Sequence, residues 1–392
     1  MVTPHPSSPF ELHLPSRILF GSGCAAQLPE LAAARGGRML CVTGSKPERW
    51  AKLWDALNQR GLHLSWFQVP CEPTHELLRR GCETARQLGA QCIVAVGGGS
   101  VLDLGKAVAA LSFAELRLED HLEVVGRGVP VQKAGLPCIA LPTTAGTGAE
   151  VTRNSVITIS DKAVKVSVRG AALLPQVALV DPELTLGLPS GLTLSTGMDA
   201  LTQLIEPRIS CRSNSMTALW SEQGIARVAA DFARALSTPD DLSARSGMAQ
   251  ASLLGGLALS NAGLGAVHGF AGPLGGMFPA ASHGALCAAL LAPAMEVNLA
   301  ALRSRAPFHP SLHGFQRVAA ALTGIAEADP ERAIEWIRDF STRWGVRSLS
   351  SLGVGAEFWE TACEKAAAAS SMKANPIPLL PVELRRILEL AS

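Results

Sequence analysis

The chain has 392 residues, a formal net charge of +1 and 48% hydrophobic residues. The near-neutral charge argues against nucleic-acid-binding proteins, which usually carry a strong basic excess, and the length favours two domains with a sizeable core. The sequence contains no tyrosine, which excludes the reductases that use a tyrosine as general acid.

The nine cysteines and the N-terminus predict a cytoplasmic protein with free thiols. The cysteines form no CxxC pair, and the first residues lack the charged-then-apolar pattern of a signal peptide. Residues 251–282 carry no charged side chain, but glycines and Pro273 interrupt them. We therefore expect a buried helix followed by a loop there, and no membrane partner.

The N-terminal half alternates short apolar runs with helical patterns, as βαβ units around a parallel sheet do. After Asp181 and Pro182, helical patterns replace the strands. We predict an α/β domain over residues 1–184 that binds a dinucleotide, and an all-α domain over residues 185–392 that binds metal and substrate. The predicted strands are 17–24 (with its glycine turn), 38–43, 62–69, 92–96 and 138–141; the predicted helices are 48–60, 75–88, 197–210, 215–236, 241–261, 284–304, 314–324, 330–344 and 355–370.

Two loops that follow apolar strands have the residues of a phosphate site. The first consists of Gly97, Gly98, Gly99 and Ser100, directly before a helix. Glycine lets backbone N–H groups approach a pyrophosphate at the positive end of a helix, and Ser100 could cap that helix or bind a phosphate oxygen. The order is not GxGxxG, so a tight turn with close helix–strand packing is the alternative.

The second loop offers hydroxyl and backbone donors for ribose or phosphate, or forms a capped turn. It contains Thr143, Thr144 and Thr147, with glycines at 146 and 148. Because adjacent parallel strands end at the same edge of a sheet, the two loops together indicate a nucleotide site more strongly than either does alone.

The helical half contains a candidate metal site. Asp199 and Gln203 are four residues apart at what reads as the start of a helix, so they share a face. His268 and His283 lie in a section nearly free of charge. Two imidazoles, a carboxylate and an amide oxygen could bind a divalent cation. The alternatives are buried core histidines and a helix cap at Asp199.

As a set, these motifs resemble those of the iron-containing (group III) alcohol dehydrogenases, over nearly the whole chain. Those that carry the resemblance are Phe20-Gly21-Ser22-Gly23, Gly97-Gly98-Gly99-Ser100 with Asp103 and Lys106, Pro142 to Gly148, Asp181-Pro182, Gly197 to Thr202, His268-Gly269 with Pro273-Leu274-Gly275, His283-Gly284, and Ser371 to Pro376.

The resemblance implies a dehydroquinate-synthase-like fold: an α/β domain with a Rossmann-like nucleotide site, an all-helical domain, and a cofactor in a cleft with a metal at its floor. Asp199, His268 and His283 match three metal ligands of the family and would be the catalytic residues. The fourth ligand is commonly a histidine in the family and is Gln203 here. We expect iron, with zinc or a metal-free site as alternatives.

The resemblance also implies cofactor contacts at Asp103, Thr144, Thr147 and Lys165. NAD-preferring relatives often carry an acidic residue after the second strand, where this chain has Gly44 and Ser45, followed by Lys46 and Arg49. Loss of the acid removes repulsion of a 2′-phosphate. We expect NADP or NAD, with NADP accepted.

The predicted function is the interconversion of an alcohol and an aldehyde or ketone by direct hydride transfer to or from NAD(P). Three alternatives remain open: a maleylacetate-reductase-like enzyme acting on a carboxylate substrate without a complete metal site, a dehydroquinate-synthase-type lyase, and a cofactor-binding protein without catalysis. The expected partner is a small-molecule substrate, and an edge strand near residues 9–20 could pair in a homodimer.

Overall fold

The computed structural model describes residues 9–133, 135–162 and 164–392. It divides into two compact units. The α/β unit comprises residues 13–188 and 240–249, and the described part of the helical unit comprises residues 9–12, 189–239 and 250–392. The first eight residues, with which the predicted N-terminal domain begins, lie outside the described part.

The α/β unit is built on a six-stranded parallel sheet in the order β1-β8-β5-β4-β2-β3, and a two-stranded antiparallel sheet, β6-β7. Its strands are β1 (Arg17–Phe20), β2 (Arg38–Thr43), β3 (His63–Gln68), β4 (Cys92–Gly97), β5 (Cys138–Pro142), β6 (Asn154–Ile159), β7 (Val164–Arg169) and β8 (Val177–Val180). Its helices are α1 (Leu28–Ala33), α2 (Ala51–Gln59), α3 (His75–Gln87), α4 (Gly99–Leu111) and α5 (Leu118–His121).

Both faces of the parallel sheet are buried. Successive residues of β2 alternate between two hydrophobic cores: Met39 and Cys41 pack on one side, and Leu40 and Val42 on the other. Side chains alternate across a strand, and a sheet covered on both faces needs apolar residues at nearly every position. This explains why the strand sequences are continuous apolar runs.

The helical unit consists of long helices and has a buried apolar core. Its helices are α6 (Ser190–Ile209), α7 (Ser215–Ser237), α8 (Leu242–Ala262), α9 (Ala266–Met277), α10 (His283–Arg305), α11 (Ser311–Thr323), α12 (Glu331–Trp344), α13 (Trp359–Ala368) and α14 (Pro381–Ala391), of which α8 begins in residues that belong to the α/β unit.

Two expectations for the helical half were wrong. The loop expected within residues 251–282 is largely a helix, α9, despite Pro273 in its interior. The helix that carries Asp199 begins at Ser190 rather than near residue 197, so Asp199 lies in mid-helix and is not a cap. Helix α14 and the hairpin β6-β7 had no counterpart among the predicted elements.

Helix α10 is long and apolar enough, by length and composition, to cross a membrane, and 78% of its apolar window is buried. Helices α8 and α9 pass the same test as a pair but are bent by 98° relative to one another. Core helices that are mostly buried also pass this test.

Candidate metal centre and nucleotide-binding loops

Helix α6 presents three buried polar side chains on one face. Asp199, Gln203 and Glu206 follow each other at helical spacing and are 2%, 3% and 4% exposed. Burial of so many polar groups on one stripe is costly unless each has a partner. The face therefore needs partners, and these come from α9 and α10.

Helix α9 holds His268 in its first turn. Glu206 accepts a hydrogen bond from the Val267 backbone N–H at 2.7 Å and contacts His268 Nδ1 through its other oxygen, also at 2.7 Å. Asn375 accepts from the Ala266 N–H at 3.0 Å. Two side chains thus satisfy free amides at the start of α9, and the contact at Nδ1 leaves Nε2 of His268 facing Asp199.

Helix α10 begins at His283 and places Cys287 one turn further along. A Cβ on Gly284 would lie 2.2 Å from the backbone oxygen of Ser195 in α6. Only glycine permits this close approach of the two helices. The glycine after His283 therefore brings the start of α10 against the helix that carries Asp199.

The structure brings together Asp199, His268 and His283, as predicted, and adds Cys287. One ligand atom from each of the four lies within 4.8 Å of the others. Asp199 Oδ1 is 3.3 Å from His268 Nε2 and 3.7 Å from His283 Nε2. Cys287 Sγ is 3.9 Å from His268 Nε2 and 3.7 Å from His283 Nε2.

The electrostatics of this cluster favour a positive charge at its centre. Burial alone would lower the pKa of His268, but its contacts with Cys287, Asp199 and Glu206 leave that pKa well above the usual value. The pKa of His283 is also raised: burial opposes this, and Cys287 and Asp199 outweigh burial. Burial would raise the pKa of Asp199, but the two histidines and Gln203 hold it below its usual value.

Two buried oxygens of the cluster are poised for a further partner. Asp199 Oδ1 and Gln203 Oε1 accept no hydrogen bond from the part of the chain that the structure describes. Buried polar atoms are rarely left without a partner, and a bound ion is one common partner of such atoms. The residues present therefore fit a divalent cation.

Sequence reasoning missed Glu206 and Cys287. Glu206 lies seven residues after Asp199, which is the same face of a helix, and a heptad count along α6 could have found it. Cys287 lies four residues after His283 and needed the start of α10 to be placed at His283.

The two predicted phosphate loops follow neighbouring strands. Gly97 at the end of β4 pairs with Pro142 at the end of β5, and β2 lies on the other side of β4. The chain proceeds from β2 outward to β3 and then returns past β2 to β4 and β5. The loops thus lie beside a point where the strand order reverses, where open α/β sheets bind their ligands.

The glycines of the first loop are in contact with the threonines of the second. A Cβ on Gly99 would lie 2.7 Å from Thr147 Cγ2, and one on Gly98 would lie 3.4 Å from Thr144. Gly98 is the N-cap of α4, which has no side-chain cap, and Ser100 is within the helix rather than its cap. The open helix N-terminus and the threonine hydroxyls form a polar cradle of the kind that binds phosphate.

Asp103 and Lys165 already have partners within the α/β unit. Asp103 pairs with the buried Lys106 at 3.1 Å and accepts the Val156 N–H at 2.9 Å. Lys165 lies on β7 and pairs with Glu72 at 2.5 Å. Asp103 therefore connects α4 to β6.

The segment after β2 is more open. Gly44 is half-buried and a Cβ there would meet nothing within 4 Å. Ser45 and Lys46 are exposed. Arg49 donates to the Leu186 carbonyl oxygen at 3.1 Å and stacks over the ring of Trp50. Lys46 and Arg49 are both exposed, and Arg49 is held by these two contacts.

Two family models cover nearly the whole chain: iron-containing alcohol dehydrogenase matches residues 15–182, and the C-terminal part of the Fe-containing alcohol dehydrogenase family matches residues 193–391. The chain belongs to the iron-containing alcohol dehydrogenase family. It is 32% identical to the 4-hydroxybutyrate dehydrogenase of Cupriavidus necator over 336 residues, which are 84% of this chain and 85% of that relative.

Solved structures agree with this assignment. A 1,3-propanediol oxidoreductase matches with a TM-score of 0.90 at 30% identity, covering 98% of this chain and 100% of that one. A sulfoacetaldehyde reductase from Bifidobacterium kashiwanohense in complex with NAD+ matches with a TM-score of 0.84 at 28% identity, covering 98% and 100%. The predicted family and fold class are confirmed, and the protein is an oxidoreductase of the alcohol dehydrogenase type.

Proposed function

We propose that this protein interconverts an alcohol and an aldehyde or ketone by direct hydride transfer between the substrate carbon and NADP or NAD, with a divalent metal bound at Asp199, His268 and His283. The observation that carries the proposal is the convergence of the two histidines on Asp199 Oδ1, a buried oxygen that has no hydrogen-bond partner among the described residues.

The three side chains would hold the metal, and Gln203 is the fourth residue proposed from the sequence. A bound divalent cation would polarise the substrate oxygen and stabilise its negative charge. Glu206 contacts Nδ1 of His268 at 2.7 Å and so fixes the ring with Nε2 as the nitrogen available to a metal. The close packing at Gly284 holds His283 beside Asp199.

The α/β unit would bind the cofactor with the loops after β4 and β5. The backbone amides at the start of α4, together with Thr143, Thr144 and Thr147, offer donors for the pyrophosphate and ribose. Lys165 would reach the cofactor only by leaving Glu72. We also propose the two predicted domain roles, with the boundary near residue 184, a cytoplasmic location and a homodimer.

The cofactor preference is tested by Gly44→Asp. The position has room for the side chain, and a carboxylate there would repel a 2′-phosphate by about 1–2 kcal/mol after screening. We expect kcat/KM for NADPH to fall about tenfold, with little change for NADH. Strong preference of the unaltered enzyme for NADH would refute the use of NADP.

The metal-dependent reaction is tested with a panel of aldehydes and keto acids, by following the absorbance of both reduced cofactors with iron, zinc or chelator. We expect aldehyde reduction that chelator abolishes. His268→Ala should lose both metal and activity, whereas the exposed His63→Ala serves as the matched control. Full activity in chelator, especially with keto acids, would favour the alternative of a maleylacetate-reductase-like enzyme that acts on a carboxylate substrate without metal.

A further inference from the structure

Gln203 raises the question of which residue is the fourth ligand of the proposed metal centre. Gln203 Oε1 is buried and has no hydrogen-bond partner among the described residues. As a neutral amide oxygen it is a weaker metal ligand than the imidazole that the family commonly has at this position. A tightly bound transition metal therefore needs a better fourth donor than Gln203.

Cys287 is the side chain that meets this need. It is fully buried, and its Sγ lies 3.7–3.9 Å from Nε2 of each histidine. Zinc–ligand bonds of about 2.0–2.3 Å in a tetrahedral arrangement separate the ligand atoms by about 3.3–3.6 Å. The four distances that join Asp199 Oδ1 and Cys287 Sγ to the two histidine Nε2 atoms are 3.3–3.9 Å, within a few tenths of an ångström of that range.

We propose that Cys287 is the fourth metal ligand, and that an Asp-His-His-Cys donor set makes the centre prefer zinc to iron. The reason is chemical: a thiolate is a soft ligand that favours zinc, whereas oxygen donors suit harder cations. The inference rests on the metal-dependent function proposed above, and it assigns to Cys287 the fourth position, for which Gln203 was predicted.

The alternative is that Cys287 is only a small buried apolar side chain, which is the usual role of a buried cysteine. The two roles can be distinguished by the spectroscopic signals of a bound metal. A sulfur ligand gives cobalt(II) a sulfur-to-metal charge-transfer band in the near ultraviolet and gives zinc a bond of about 2.3 Å to sulfur in X-ray absorption. A cysteine that merely packs nearby gives neither.

The experiment compares the full-length protein with Cys287→Ser, Cys287→Ala and Gln203→Ala, with Cys211→Ser as control because Cys211 is exposed on the same unit. Each is loaded with cobalt(II) or zinc after removal of metal, and circular dichroism and thermal melting show that each is folded. Zinc affinity is measured by competition with a chromogenic chelator.

We expect the charge-transfer band in the unaltered protein, Gln203→Ala and Cys211→Ser, and its loss in both Cys287 variants. Zinc affinity in Cys287→Ala should fall by more than the roughly 10- to 100-fold that loss of an outer-shell partner causes. Cobalt binding without the band, or unchanged zinc affinity in Cys287→Ala, would overturn the assignment. In that case the proposed function would still stand if His268→Ala lost the metal. If the unaltered protein bound no metal, both the proposed function and the assignment of Cys287 would fail.

Discussion

Replacement of Glu206 by glutamine tests whether the carboxylate beneath His268 controls the metal centre. Both of its oxygens accept from donors at 2.7 Å: the Val267 backbone N–H and His268 Nδ1. A glutamine of the same shape has one accepting oxygen and one NH2 group. Whichever way the amide turns, one of the two donors meets another donor.

The magnitude follows from these two contacts. A buried donor left without its partner costs about 1–3 kcal/mol. If the amide nitrogen faces Nδ1, that atom must accept, and the imidazole proton moves to Nε2, which then cannot bind a cation. In the metal-free protein this tautomer relieves the clash, so the cost appears only when metal takes Nε2, and the dissociation constant should rise about 5- to 150-fold.

The assay is a competitive zinc titration of Glu206→Gln and of the unaltered protein, with the exposed Glu364→Gln as control. We expect weaker binding only in Glu206→Gln, with near-normal melting of the metal-free protein since the shape is retained. A zinc affinity within twofold of the unaltered protein would show that Glu206 caps α9 without orienting a ligand.

Two further predictions concern packing and pH. Gly284→Ala would place a Cβ 2.2 Å from the Ser195 backbone oxygen. We therefore expect melting experiments to show a free energy of unfolding lower by about 1–3 kcal/mol, together with weaker metal binding. The control is Gly272→Ala, whose Cβ would meet nothing within 4 Å and which should retain both stability and metal binding. Burial raises the pKa of Glu150 to about 7, against the opposing effects of its own backbone and Lys106. As pH rises, the unfolded chain therefore releases this proton before the folded protein does. Between pH 4.5 and 7 the unfolding free energy of the unaltered protein should fall by about 3 kcal/mol relative to that of Glu150→Gln. Parallel curves of stability against pH for the two proteins would contradict this reasoning.

The strands of the α/β unit were predictable because a parallel sheet buried on both faces requires apolar residues at consecutive positions. The runs at 38–43 and 92–96 agree with β2 and β4 to within one residue. The sheet order was not predictable in this way, since it depends on which strands lie side by side. The glycine-containing loop and the threonine-containing loop are in contact because β4 and β5 are neighbouring strands in that order.

Helix α9 was missed for a physical reason. Glycine and proline have the lowest helix propensities, and α9 contains several glycines and Pro273. Its first turn is held by Glu206 and Asn375, which are 61 and 109 residues away from the amides that they accept from. Local sequence cannot report such stabilisation, because the groups that provide it are distant along the chain.

The prediction of the metal ligands was affected by the position of a helix start, which differed by one residue between sequence and structure. The sequence predicted a helix over 284–304, which leaves His283 outside it and gives Cys287 no relation to the candidate ligands. The structure begins α10 at His283, so the two side chains share a face one turn apart. A buried cysteine in an apolar helix is ordinarily a packing residue, and it becomes a candidate ligand only when His268 and Asp199, from two other helices, face the same point. The proposed donor set therefore depends on where three helices meet, and Asp199 and Gln203 on α6 alone could not have revealed it.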